Sequence, residues 1–360
     1  MKGKMKAQVF YEAKKMQLEE VDIPQIKENE VLIKVKVCSI CGSDQEYYYG
    51  NSPLGTPDGK GPLILGHEFS GVVAEVGAIP KSMNICMPGD NVIGNPVGPC
   101  FACEMCQRGY TNLCSNVSVN GVNANGAYAE YVKVPYTSIV KMPAKMSFEQ
   151  AAFTEPATCA DYAIKQLDIN FGDTVLVYGP GPIGLMMVQI AKSKGAGKVI
   201  VIGNRDYPLG VALEVGADAV INIKDISSPW HTTDVPAKVR EINNGKLASR
   251  AIVATANIPA GQSALECTGP RSTIVLFGLV GQNDILQVPV LDCIVNDKII
   301  KFSWLSPLVW PETVAAIDAG KIDFSKLCTH RFKLEELSEG ITFMKEGKGD
   351  KIKGICIIEE

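Results

Sequence analysis

Four cysteines lie close together in the first half of the chain, in the spacing C-x2-C-x2-C-x7-C. They are Cys100, Cys103, Cys106 and Cys114. Two-residue spacings let neighbouring thiolates converge, and four thiolates complete the tetrahedron of a structural zinc site with no position left open. An iron–sulfur cluster or four unrelated thiols are the alternatives. A nucleic-acid-binding zinc module is disfavoured, because no basic patch accompanies the cluster.

A second set of potential metal ligands is dispersed along the chain. They stand in Cys-Gly-Ser-Asp, Gly-His-Glu and Thr-Glu-Pro segments and are Cys41, His67, Glu68 and Glu155. Cysteine, histidine and carboxylate ligands together suit a zinc ion that keeps one position open for substrate. Each residue alone is a weak indication. The chain has only three histidines, however, so a His-Glu pair beside a glycine stands out.

A glycine-rich segment matches G-x-G-x-x-G, follows an apolar run at residues 175–178 and opens a stretch with helical periodicity. In this context the first glycine makes a tight turn, the second lets a pyrophosphate approach the backbone, and the third lets helix and strand pack closely. Free N–H groups at the helix N-terminus then face the phosphates. The residues expected to bind a dinucleotide here are Gly179, Gly181, Pro182, Ile183 and Gly184.

The choice between NAD and NADP depends on the end of the second strand. NAD enzymes place a carboxylate there, about 20 residues after the glycine motif, to hold the ribose 2′-hydroxyl. The corresponding residue is Gly203, followed by Asn204 and Arg205. A missing carboxylate with a nearby arginine favours the 2′-phosphate of NADP. NAD remains the alternative, with Asp206 as its ligand if the strand runs longer.

The elements that must position these residues fall into two regions. The first 150 or so residues are rich in turns and short strands, and residues 31–37 alternate apolar and lysine as a half-buried strand does. From about residue 173, short apolar strands alternate with helical stretches. This alternation predicts an α/β fold with a doubly wound parallel sheet. Residues 49–62 form no periodic pattern and are predicted to be a loop.

Composition excludes several classes of protein. Apolar residues make up 46% and charged residues 21% of the chain, as in globular proteins. The net charge of −4 gives no reason to expect a nucleic-acid partner. No apolar run is long enough to cross a membrane, and no signal peptide is recognisable. We therefore expect a cytoplasmic protein.

Taken together, the motifs resemble those of the zinc-containing medium-chain dehydrogenase/reductase family, in order and spacing, over essentially the whole chain. The glutamate at position 155 is shared with the polyol branch, the sorbitol and butanediol type. The resemblance implies a β-rich GroES-like catalytic domain at residues 1–157 and 297–360 and a Rossmann nucleotide-binding domain at 158–296. It also implies a homodimer or homotetramer built through the nucleotide domain.

The resemblance assigns roles to single residues. Cys41 and His67 would bind a catalytic zinc ion, with Glu68 or Glu155 as direct or water-exchanging ligands. Ser43 matches the hydroxyl that hydrogen-bonds the substrate oxygen, and Tyr47 a tyrosine near the polyol site.

One position departs from the family pattern. Family members commonly carry a histidine, as the outer end of a proton relay, where this chain has Glu46. A carboxylate is a weaker base than an imidazole at neutral pH. Proton acceptance, substrate binding and a solvated surface charge are equally open for this residue.

The function that these features predict is zinc-dependent hydride transfer between NAD(P) and a secondary alcohol, of a polyol or sugar, with its ketone as the other small-molecule partner. A zinc-independent enone or quinone reductase of the same superfamily should lack the metal ligands that this chain carries. A non-catalytic scaffold protein should not need both the ligands and the glycine turn.

Overall fold

The computed structural model describes residues 1–52 and 61–359, and most of the predicted loop at 49–62 lies outside the described residues. The chain forms two compact units, Met1–Pro156 with Cys328–Glu360 and Ala157–Leu327. The second unit is therefore inserted into the first. Among the described residues, no helix is both long and apolar enough to cross a bilayer.

The first segment of the first unit is rich in strands, as its sequence predicts. The strands are β1 (Lys4–Glu12), β2 (Lys15–Asp22), β3 (Glu30–Ser39), β4 (Leu63–Ile64), β5 (Glu68–Val76), β6 (Asn91–Gly94), β7 (Val97–Gly98), β8 (Ser118–Val119), β9 (Tyr131–Pro135) and β10 (Ile139–Lys141). The helices are α1 (Gly42–Tyr49), α2 (Ala78–Ser82), α3 (Glu104–Gln107) and α4 (Phe148–Ala152). The alternating run at residues 31–37 lies in β3, where its apolar side chains are buried and its lysines are partly exposed.

The second unit contains one parallel sheet and the helices packed on it. The elements that follow α4 are α5 (Thr154–Gln166), β11 (Thr174–Tyr178), α6 (Pro182–Ser193), β12 (Lys198–Gly203), α7 (Asp206–Glu214), β13 (Ala219–Asn222), α8 (Val235–Ile242), β14 (Ala248–Val253), α9 (Ile258–Glu266), β15 (Thr268–Leu276), α10 (Val290–Val295), β16 (Ile299–Phe302) and α11 (Trp310–Asp318). The strand order is β13-β12-β11-β14-β15-β16, with every pair parallel. This order is that of a doubly wound nucleotide-binding sheet, so the predicted fold class is confirmed.

The second boundary between the units differs from the predicted one. The nucleotide domain was expected to end at residue 296, but β16 lies after that point and forms the edge of the parallel sheet. Helix α11 also belongs to this unit, because Thr313 donates a 2.9 Å hydrogen bond to the buried Asp161 carboxylate. The chain therefore leaves the second unit at Leu327.

The last segment of the chain completes the sheet of the first unit. It forms β17 (Cys328–Lys333), α12 (Leu337–Glu346) and β18 (Lys353–Ile357). The sheet order is β10-β6-β5-β3-β18-β17, with β9 also paired to β3. In this register Ser39 of β3 lies opposite Glu68 of β5 and Ile355 of β18. Three strands from distant parts of the chain thus meet at one point.

Candidate functional site

Strand pairing in the first unit brings three of the predicted ligands together. Glu68 opens β5 opposite Ser39, and Cys41 follows two residues later at the start of α1. Cys41, His67 and Glu68 each offer one donor atom, and these atoms lie within 4.8 Å of one another. A thiol, an imidazole and a carboxylate at this separation form a donor set that fits zinc and leaves a position for substrate.

A buried carboxylate, Asp44, organises this group. It accepts hydrogen bonds from Cys41 N at 3.0 Å, Gly66 N at 3.3 Å and Tyr128 Oη at 2.8 Å. Its Oδ1 also lies 3.3 Å from His67 Nδ1, within ion-pair distance. The sequence analysis did not assign Asp44 a role. Its position at the end of Cys-Gly-Ser-Asp, in the first turn of a helix, was the available signal.

Asp44 and His67 shift each other's pKa in opposite directions. Burial raises the pKa of Asp44, but nearby His67 and the hydrogen bonds from Tyr128 and Cys41 lower it below its ordinary value. Burial lowers the pKa of His67, yet Asp44 and Cys41 outweigh this and hold that pKa well above its ordinary value. The two shifts are those of an acid and a base that attract each other.

Glu68 is held by a second buried charge that the sequence analysis missed. Lys353 Nζ lies 2.7 Å from Glu68 Oε2 and 3.0 Å from Oε1, and donates to Ile40 O at 3.2 Å. Ser39 Oγ donates to the same carboxylate. The lysine and glutamate side chains are only 4% and 1% exposed. Burial lowers the pKa of Lys353, but Glu68 and Cys41 raise it by more, so the ammonium stays charged.

The other residues that the resemblance assigned lie in different surroundings. Glu155 is buried in the first turn of α5 but does not belong to the three-donor group. Ser43 Oγ lies 3.4 Å from His67 Nε2, so its hydroxyl adjoins the group. Tyr47 is buried, and burial raises its pKa.

Glu46 has a partner of its own. Its carboxylate forms an ion pair with Lys345 of α12, and both side chains remain about one-third exposed, at 36% and 35%. Of the three roles left open for Glu46, this contact favours the surface charge.

The four cysteines of the first motif also converge, with their sulfur atoms within 4.8 Å of one another. Backbone N–H groups of Cys106 and Ser115 lower the pKa of Cys103 to about 6. Burial and the neighbouring thiols raise the pKa of Cys106 to about 12. Four converging thiols are the donor set of a structural zinc ion.

The surroundings of the cysteine cluster contain few apolar contacts. Three large side chains there are about half exposed, namely Phe101 at 55%, Tyr110 at 49% and Leu113 at 52%. A metal ion bound by the four thiols would cross-link a segment whose own large apolar side chains are poorly buried.

In the second unit, the glycine motif joins β11 to α6 as expected. Gly179 has a φ of +95°, a conformation that favours glycine. A Cβ on Gly184 would lie 2.0 Å from Gly179 O, so helix and turn approach too closely for any side chain. Gly181 precedes Pro182, the first residue of α6, and no side chain caps the helix. Its first-turn N–H groups, that of Ile183 included, are thus available to an anion.

The buried Lys353–Glu68 pair allows a direct test. Replacing Lys353 by methionine leaves the Glu68 carboxylate buried and uncompensated, so the free energy of unfolding should fall by about 3–5 kcal/mol. The matched control Lys345→Met breaks an exposed ion pair and should cost about 1 kcal/mol or less. Denaturant unfolding of both variants measures the difference. Equal losses would contradict the structural role of Lys353.

Models of two protein families match the chain. The alcohol dehydrogenase GroES-like domain matches residues 27–144, and the zinc-binding dehydrogenase model matches residues 182–319. Sorbitol dehydrogenase of Bacillus subtilis (strain 168) is 31% identical over 351 residues, covering 97% of this chain and 96% of that protein. Erythritol/L-threitol dehydrogenase of Mycolicibacterium smegmatis is 30% identical, covering 96% and 95%.

The solved structures that resemble this chain are also dehydrogenases. The 2R,3R-butanediol dehydrogenase from Bacillus subtilis superposes with a TM-score of 0.88 at 26% identity, covering 99% of this chain and 100% of that one. A candidate zinc-binding dehydrogenase from Sinorhizobium meliloti 1021, bound to NADP, has a TM-score of 0.87 at 26% identity, with the same coverage. Full-length relatives and both family models therefore confirm that the chain belongs to the zinc-containing medium-chain dehydrogenase/reductase family.

Proposed function

We propose that the protein is a zinc-dependent dehydrogenase that oxidises a secondary hydroxyl of a polyol or sugar with NADP. The observation that carries the proposal is the convergence of Cys41, His67 and Glu68, with the Ser43 hydroxyl 3.4 Å from His67 Nε2. The relatives act on sorbitol and on erythritol or L-threitol by their names, and a structural neighbour on butanediol. These names support a small polyhydroxylated substrate.

Cys41 and His67 are the proposed zinc ligands. Glu68 is the carboxylate that the geometry favours, because one of its oxygens already belongs to the three-donor group. Its ion pair with Lys353 competes for the same oxygens, which supports a role as an exchanging ligand. Glu155 is the second candidate for the carboxylate position. The four-cysteine cluster is the proposed structural zinc site.

When bound, zinc supplies a Lewis acid that lowers the pKa of a substrate hydroxyl, and NADP supplies the hydride acceptor. Ser43 would relay the proton of the substrate hydroxyl, accepting it while releasing its own hydroxyl proton towards solvent. Asp44 holds the ring of His67 in one orientation, so that binding finds the imidazole already positioned. The buried ring of Tyr47 would form an aromatic side of the proposed substrate site. The Glu46–Lys345 pair argues against Glu46 as the outer proton acceptor.

The preference for NADP rests on the end of β12. This strand ends at Gly203, and Asn204 and Arg205 follow as exposed residues before α7 begins. A guanidinium at this place can neutralise a 2′-phosphate, and no carboxylate at the strand end opposes it. The neighbour from Sinorhizobium meliloti is bound to NADP, whereas one from Escherichia coli CFT073 is in complex with NADH.

An exposed apolar face on the second unit supports assembly into a homodimer or homotetramer. Four residues of α10 are mostly exposed, namely Val290 at 62%, Leu291 at 75%, Ile294 at 70% and Val295 at 70%. The neighbouring edge strand β16 pairs with β15 alone within residues 1–52 and 61–359, and its Phe302 is 74% exposed. An apolar patch beside an open strand edge is suited to a second copy of the same surface.

We also propose a cytoplasmic location. No disulfide joins any of the twelve cysteines, all of which lie within the described residues, and five of them are proposed metal ligands, namely the four of the cluster and Cys41. A reducing compartment keeps such thiols available for metal.

Replacing Cys41 by serine tests the proposed catalytic zinc. The variant should lose one of two bound zinc equivalents, one for each donor group, and its turnover should fall to background. Metal analysis by mass spectrometry and a polyol oxidation assay measure both effects. Cys328→Ser, which removes a partly exposed thiol outside both groups, should retain zinc and activity. Full turnover in zinc-depleted Cys41→Ser would refute the assignment.

Replacing Arg205 by alanine tests the coenzyme assignment. The KM for NADP should rise about tenfold or more, because a charge-assisted contact is lost, while the KM for NAD changes little. Arg271→Ala removes another exposed arginine of this unit, which pairs with Asp297, and should leave both constants unchanged. Equal effects of Arg205→Ala on the two coenzymes would count against the 2′-phosphate contact.

The apolar face can be tested by charge. Leu291→Glu combined with Ile294→Glu places two carboxylates on the patch, and the assembly should dissociate to monomers in analytical ultracentrifugation. Ile226→Glu, which changes an 85% exposed residue outside the patch, is the matched control and should preserve the assembly. An unchanged sedimentation coefficient for the double variant would exclude this face as the interface.

A further inference from the structure

The glycine that ends β12 is required by its neighbours. Gly203 is buried, and a Cβ built on it would lie 2.7 Å from Pro180 Cγ, 2.8 Å from Pro180 Cδ and 3.2 Å from Leu209 Cδ2. Contacts below 3.0 Å are not seen for real Cβ atoms. Its backbone does not adopt the left-handed conformation that itself favours glycine. The space that a side chain would need is therefore occupied by the proline ring.

The backbone of the glycine turn fixes the place of Pro180. It is the second residue of that turn and is buried. Gly179 N donates a 2.9 Å hydrogen bond to Ile202 O, which fastens the turn to the end of β12. A Cβ on Gly179 would lie 3.0 Å from Thr255 Cβ, so the turn also packs closely against the residues that follow β14. The ring closure of proline removes the rotamers by which another side chain would yield.

The other carboxylate near this strand end is already engaged. Asp206 Oδ1 accepts a 2.6 Å hydrogen bond from Asn222 Nδ2. Asn222 is fully buried, and its Oδ1 accepts 2.9 Å bonds from the backbone N–H groups of Lys224 and Asp225. Asp206 thus holds the Asn222 side chain that stabilises the turn after β13. Turning Asp206 towards a ribose would break its hydrogen bond with this buried amide.

We propose that Pro180 is a specificity-determining residue, which excludes every side chain from position 203 and thereby prevents a carboxylate from standing at the coenzyme's adenosine ribose. The inference rests on the proposed NADP function, which it deepens. Position 203 cannot hold a side chain, and Asp206 is bound to Asn222. The side chains of Asn204 and Arg205 are therefore the ones available to the ribose at the end of β12. A carboxylate here would attract a ribose 2′-hydroxyl and repel a 2′-phosphate, so its exclusion protects the use of NADP.

The steric part is tested by a double-mutant cycle that does not depend on the coenzyme. Gly203→Ala should lower the melting temperature by about 5 °C, because it overpacks a buried contact. In a Pro180→Ala background, which lacks Cγ and Cδ, the same substitution should change the melting temperature by much less. Thermal unfolding of the four proteins without coenzyme measures the coupling. Equal shifts in the two backgrounds would overturn the steric role.

The specificity part is tested by Gly203→Asp with and without Pro180→Ala, with kcat/KM measured for NAD and NADP. The ratio of NAD to NADP use should rise about tenfold or more in the double variant, and much less in Gly203→Asp alone. An equal rise in both overturns the role of Pro180. If the parent enzyme uses NAD at least as well as NADP, the coenzyme assignment and the specificity role both fail, whereas equal melting shifts overturn the role of Pro180 and leave the coenzyme assignment standing.

Discussion

The buried ion pair between Lys353 and Glu68 connects the first and last segments of the first unit. Removing two charges from water costs several kcal/mol for each ion, and only close, complementary contacts offset this cost. Here the ammonium reaches both carboxylate oxygens and Ile40 O, while Ser39 donates to the same carboxylate. The pair depends on the register in which β3 lies between β5 and β18. The same register sets Cys41 beside His67.

The four-cysteine cluster and the group of Cys41, His67 and Glu68 differ in how the surrounding structure supports them. The four-cysteine cluster orders a segment whose large apolar side chains are half exposed, so a metal there replaces a core. The group around Cys41 lies in a well-packed sheet that needs no cross-link. Its buried neighbours, Asp44 and Lys353, instead balance charge and fix the orientation of the ligands. The first group is closed by four like donors, and the second keeps a mixed donor set.

The sequence was informative wherever function depends on local spacing. The cysteine cluster, the glycine turn and the alternating strand β3 are encoded in short segments, and the structure shows each where it was expected. Lys353 was not found, because 285 positions separate it from Glu68 and a single lysine in a strand carries no pattern. The boundary at residue 296 failed for a similar reason. Strand β16 is short and exposed, so its place in the sheet follows from pairing rather than from periodicity.

For two residues, the sequence pattern was recognisable but its physical reason became visible only in the packing of the structure. The sequence at Gly203 indicates only that a carboxylate is missing, whereas the structure adds that a Cβ there would lie 2.7 Å from the ring of Pro180. The sequence leaves three roles open for Glu46, and its contact with Lys345 of a distant helix supports one of them. In both cases the deciding neighbour is remote in sequence or belongs to another motif.

The placement of β18 also bears on how the protein is made. Domains generally begin to fold as they emerge from the ribosome. The second unit, Ala157–Leu327, is contiguous and has all its strands before Cys328 is synthesised. The first unit must wait for residues 353–357, so its sheet stays open at β3 while the inserted unit is already complete. During that interval Glu68 lacks its ammonium partner, and its carboxylate can be compensated only by water or by a cation.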